Sequence, residues 1–112
     1  MLVIDSITSD NDQEFTIPFQ ESEIVLRVRF LPAVQQWFMD VSYNGIETNG
    51  VKLAVEVLPL FGRNYPFDIW IVDNSGTGLD PFTIDDFSNG RCEMYLLEPS
   101  DMTDIRGFEV AL

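Results

Sequence analysis

The sequence has no histidine and one cysteine, Cys92. The first absence removes the usual general base near neutral pH, the Ser-His-Asp constellation and every histidine metal motif. The second excludes an intrachain disulfide and a thiolate cage for a metal. Cys92 opens the alternating run CEMYLL, which predicts a buried thiol rather than a reactive one. Cations are scarce: 6 Lys and Arg stand against 19 Asp and Glu, for a net charge of −13. That balance argues against sequence-independent nucleic-acid binding, which needs cations to displace the counterions of phosphates. No apolar run reaches the roughly 18 residues of a membrane-spanning helix. Asp5 cuts short the apolar start and no basic segment precedes it, so no signal peptide is expected. The chain should then stay soluble in the cytoplasm where it is made. Gly76-Thr77-Gly78 lacks the helix and lysine of a phosphate loop. There is no internal repeat, low-complexity stretch or linker, and 112 residues suit one domain.

What is present is alternation. In residues 24–30, Ile24, Leu26, Val28 and Phe30 share one side, and Val25, Arg27 and Arg29 the other. In residues 37–43, Trp37, Met39, Val41 and Tyr43 face one way, with Phe38, Asp40 and Ser42 opposite. A period of two in β-branched and aromatic residues marks half-buried strands. The short link at residues 32–36 predicts an antiparallel hairpin, with Arg27 or Arg29 across from Asp40. A slip of one residue would drive arginines into the core, so this register is strongly specified.

Along the rest of the chain, residues 1–12 read as a flexible end or a short strand over 2–7. Residues 15–19 read as an edge strand, because Pro18 has no N–H to donate. Asn44-Gly45 signals a type I′ turn, and Asn49-Gly50 a second turn. Residues 51–58, rich in valine, are expected as a strand. A loop follows over 59–66, then a central strand over 67–73 and a mobile loop over 74–81. Residues 83–87 suit one helical turn capped by Thr83, with Asp86 three residues on. A strand over 91–97, a loop over 98–104 and a short strand over 107–112 complete the reading. The expected fold is all-β: one small antiparallel sandwich or barrel of six to eight short strands.

Carboxylates are the only abundant reactive groups. Asp10, Asp12, Glu14 and Glu21 match positions of a calcium loop, but Phe15 stands where glycine is required. A solvated loop is expected there, and a simple turn at residues 73–78. The pairs Asp85-Asp86 and Asp101/Asp104 would suit a glycosidase only if two carboxyl groups faced each other across a cleft. Neither a cofactor nor a metal is expected, and no catalytic residue is assigned. The alternative of an acidic DNA mimic needs carboxylates spaced like phosphates on one surface. Here many fall in loops instead: Asp10, Asp12, Asp80, Asp85, Asp86, Asp101 and Asp104. Function should therefore reside in surfaces. Phe38, Trp70, Phe61 and Tyr65 supply apolar area beyond one small core, which marks them as candidate interface residues.

The order of blocks carries more. FTIPF, IVLRVRF, WFMDVSYNG, NGVKLAVEVLPL, FDIWIVDNSGTGLDPFTIDDF and RCEMYLLEP follow one another over residues 13–99. This succession resembles the baseplate plug family of contractile-tailed bacteriophages. The chain departs from the family pattern in a longer segment at residues 59–66, and residues 1–12 and 100–112 are not covered. The resemblance implies a structural protein at the base of a tail, closing or lining the tube until DNA is ejected. It implies hub, spike, tube and tape-measure proteins as partners, and a place in the virion after assembly in the host cytoplasm. A closed homo-oligomer, with a trimer favoured, would suit a position on the tail axis. A lumen lined with carboxylates would let DNA slide without sticking.

Overall fold

The computed structural model describes residues 2–101. Seven strands form two antiparallel sheets: β1 (Leu2–Ile4), β2 (Asp12–Phe19), β3 (Ser22–Leu31), β4 (Gln36–Tyr43), β5 (Ile46–Lys52), β6 (Asp68–Asp73) and β7 (Cys92–Leu97). One sheet has the order β2-β3-β4-β5 and the other β1-β7-β6. A single core, made from residues of both sheets, lies between them. This is the expected β-sandwich. The strand proposed over residues 107–112 lies outside the described residues.

The four-stranded sheet is a run of hairpins. Asn44 and Gly45, both at positive φ, form the turn that the Asn-Gly pair predicts. Arg27 sits directly across β4 from Asp40, and Phe30 across from Trp37, so the alternation sets the observed register. Ile24, Leu26, Val28, Trp37, Met39 and Val41 are all buried. Asp12 occupies the β2 position opposite Arg29. The ion pairs nevertheless run diagonally: Arg27 Nε donates to Asp12 Oδ1 at 2.8 Å, and Arg29 Nη2 to Asp40 Oδ1 at 3.0 Å. The two diagonals stitch β2, β3 and β4 together on the outer face.

Asn49-Gly50 is not a second turn. Met39 pairs with Val51 and Val41 with Thr48, so two residues of β5 face Asp40. The result is a β-bulge. Gly50 takes φ +70° there, and its N–H donates to Asp40 Oδ1 at 2.7 Å. The expected strand over residues 51–58 is accordingly displaced. The ladder ends at Lys52, and Leu53 drops into the core. The chain then crosses to the other sheet, where Val55 makes a parallel bridge to Ile71 and Glu56 N–H donates to the Ile71 carbonyl at 3.0 Å. Val51, Leu53 and Val55 still pack inward, the last two beyond the ladder, whereas Val57 is exposed.

The three-stranded sheet also departs from expectation. β7 is central and β6 is an edge strand, partly covered by the Val55 crossing. The segment after β6 is not a loose loop. The Asp73 carboxylate accepts from Ser75 N–H, Ser75 Oγ, Thr77 Oγ1 and Gly78 N–H. Residues 83–89 form consecutive turns rather than a helix. Asp86, rather than the expected Thr83, supplies the cap, accepting from the N–H groups of Phe82 and Thr83 at 2.7 and 2.8 Å.

Candidate functional site

Several chemistry-bearing side chains hold the fold together. Arg91, at the entry to β7, donates to both Asp86 oxygens, to Asp73 and to the carbonyls of Leu79 and Asp80, and it stacks on Phe82. Burial opposes ionisation of Asp86. The Arg91 guanidinium and the Thr83 and Phe82 N–H groups outweigh it and hold the carboxyl well below the usual range. Asp73 is likewise lowered by its hydrogen bonds, the Ser75 hydroxyl foremost. Cys92 is buried, and burial pushes its thiol up to about 11, away from nucleophilic use.

Asp68 is the exception. It is fully buried; Oδ1 accepts from Leu60 N–H at 3.0 Å and Ile69 N–H at 2.8 Å, while Oδ2 has no hydrogen-bond partner. Burial pushes its carboxyl up to about 6, against the two N–H donors that favour the charged form. Asp68 pins residues 58–66 onto the outer side of β6.

Among the described residues, the candidate catalytic and metal sets do not assemble. Asp12 and Glu14 lie on β2, and an extended strand of eight residues cannot wrap a cation as a loop does. Asp12 is engaged by Arg27, whose hydrogen bond lowers its pKa. No group of side chains among the described residues is arranged to hold a metal. Asp85 accepts from Ser9 Oγ at 2.7 Å, while its neighbour Asp86 is buried against Arg91. Asp104 lies outside the described residues.

The four candidate interface residues do not form one patch. Phe38 is half-buried on the outer face of the four-stranded sheet, in register with Arg29 and Lys52. Trp70 is half-buried on the outer face of the other sheet, across from Tyr95. Phe61 stands out from the 58–66 loop, 56% exposed. Tyr65 corrects the expectation of an exposed aromatic. It is core, with its ring centroid 5.4 Å from that of Phe67 and its hydroxyl 2.8 Å from Thr48 Oγ1.

Val3 and Tyr95 complete the Trp70 face. Tyr95 is the register partner of Val3 on one side and of Trp70 on the other, so the three form a row across the sheet. The alternation of CEMYLL already places Tyr95 and Glu93 opposite the core. Only the pairing of β1 with β7 brings Val3 beside them.

The family model described as the cyanophage baseplate Pam3 plug gp18 matches residues 1–99. The chain belongs to this baseplate plug family. The match includes the first twelve residues, which the block resemblance had left out, and with them β1 of the Trp70 face. No curated protein matches the chain. Membership in the plug family gives it a place in the tail baseplate, among other baseplate and tail proteins. Among the described residues, no helix is long and apolar enough to cross a membrane.

Proposed function

We propose that the chain is a non-enzymatic structural part of a contractile tail baseplate, closing or lining the tube beside the hub and spike. The observation that carries this reading is the plug-family match over residues 1–99. The engagement of Asp73, Asp86 and Arg91 in a structural network is consistent with it. Such a protein works through surfaces, and a position on the tail axis favours a closed ring of copies, most simply a trimer.

The two outer faces constrain how such a ring closes. In a head-to-tail trimer the two contacting patches must be inclined at about 60° to each other. The outer faces of a sandwich point in opposite directions, so Phe38 and Trp70 cannot both sit in one trimer contact of that type. At least one side of each ring contact then falls to the sandwich edges, formed by β1, β2, β5 and the partly covered β6. The net charge of −13 opposes association, and the Debye length falls from about 10 Å at 0.1 M salt to about 3 Å at 1 M. Self-association should therefore strengthen with salt. Native mass spectrometry of purified particles should find the chain in a copy number divisible by three, with sedimentation of the isolated protein showing the salt effect. Absence from the particle would end the plug reading, and a monomer at every salt concentration would end the ring.

A further inference from the structure

We infer that the outer face of the three-stranded sheet docks a basic segment of a different tail protein, one presenting a lysine or arginine beside an apolar patch. This deepens the plug reading and rests on it. Val3, Tyr95 and Trp70 form an apolar row where a solvated sheet would carry polar groups. Val3 is 40% exposed. Val72 and Glu93 make the next row on the same face. The far end is already roofed: Asp68 and Leu97, paired in register, are fully buried, with Leu60 bonded to Asp68. The uncovered part is therefore bounded.

Beside the row, where β1 ends, lies a cleft of about 200 Å³ whose walls include Val3, Asp5, Ile7, Phe87, Glu93 and Met94. Its lining joins apolar surface to the exposed Asp5 and to Glu93, whose oxygens also accept from Asn74 Nδ2 at 2.6 Å and from the Tyr95 hydroxyl at 2.8 Å. A long cationic side chain fits that combination, with its methylene stem against the apolar walls and its charged head at the carboxylates.

Charge decides against a second copy as the occupant. Four of the five cations among the described residues are already ion-paired within the chain: Arg27 with Asp12, Arg29 with Asp40, Lys52 with Asp80, and Arg91 with Asp73 and Asp86. The fifth, Arg63, lies in the 58–66 loop, on an exposed turn. A copy of this chain would bring mostly carboxylates to Asp5 and Glu93, and like charges at an interface are repulsive. A partner with its own free cations is complementary.

The test is photocrosslinking within the assembled tail. One full-length variant carries a photoreactive benzoylphenylalanine in place of Val3. A second carries it in place of Val25, on the outer face of the other sheet. The expected result is an adduct from position 3 to a Lys- or Arg-bearing segment of a different tail protein, and none from position 25. Asp5→Lys added to the first variant should lower adduct yield about tenfold or more with the melting temperature unchanged. An adduct to another copy, to a segment without a cation, or from position 25 alone would overturn the inference and leave the plug reading standing. A yield unaffected by Asp5→Lys would also overturn it. Absence of the protein from the tail would remove both.

Discussion

The two sheets are held in different ways. The four-stranded sheet joins sequence neighbours through turns of two to four residues, and its salt bridges lie on the outer, partly exposed face. The three-stranded sheet joins β1 to β7, with Val3 paired to Tyr95 almost the whole chain away, and it carries the long connections over residues 53–67 and 74–91. Its polar fixtures are buried: Arg91 with Asp73 and Asp86, and Asp68 with Leu60. Neighbouring strands need only alternation and a turn to find each other. Distant segments must also overcome loop-closure entropy, and here desolvated hydrogen-bond networks hold them.

The largest losses come from groups that hold the long 74–91 connection in place. Trp37 is fully buried, lies against Phe30 and Phe87, and donates from Nε1 to the Thr83 carbonyl at 2.9 Å. Trp37→Ala should cost about 3–5 kcal/mol in urea denaturation. Arg91→Met should cost about 3 kcal/mol, because it leaves the buried Asp86 without its cation. Arg27→Met, on the outer face of the other sheet, should barely move the midpoint. An equal loss for the two arginine variants would mean that the exposed pair and the Arg91 network contribute alike.

Asp68 sharpens the contrast through pH. Its folded pKa of about 6 lies above the ordinary 3.8, so its contribution is fully present below about pH 4 and is lost as pH rises through 6. The loss is of order 2–3 kcal/mol. Asp68→Asn should flatten that stretch of the stability profile, and Leu60 amide exchange should lose the matching pH dependence. Asp73 and Asp86, both lowered, act oppositely, and their support disappears as pH falls below about 4. A smaller loss than that at Asp68 concerns the bulge. Gly50→Ala forces a side chain into φ +70° and should cost about 1–2 kcal/mol, although nothing lies within 4 Å of the added methyl group. A neutral result would mean that β5 relaxes out of the bulge.

The same contrast explains what could be read before the fold was known. The β3–β4 register, the Asn44-Gly45 turn and the inward set from Ile24 to Tyr43 follow from a period of two and a turn signal, both local. The edge position of β6 did not follow, because an apolar run looks the same at an edge covered by Val55 as in mid-sheet. Asn49-Gly50 reads identically as a turn or a bulge. Asp40 opposite it decides the matter, and that pairing is visible only once the strands are aligned. Tyr65 reads as a loop aromatic because nothing nearby in sequence announces its hydroxyl partner, Thr48. Of the candidate surface, Trp70 was legible from its own strand, whereas Val3 required the topology.

The pairing of β1 with β7 also sets an order in time. β3 and β4 can zip as soon as both have been synthesised, whereas β1 must wait for a strand made some ninety residues later. Pulsed hydrogen exchange during refolding should accordingly protect Leu26 and Met39 before Ile4. The face that includes Val3 is thus the last to be completed, and an unfinished or frayed chain cannot present it. Recruitment through that face would then favour chains in which β1 has already paired with β7.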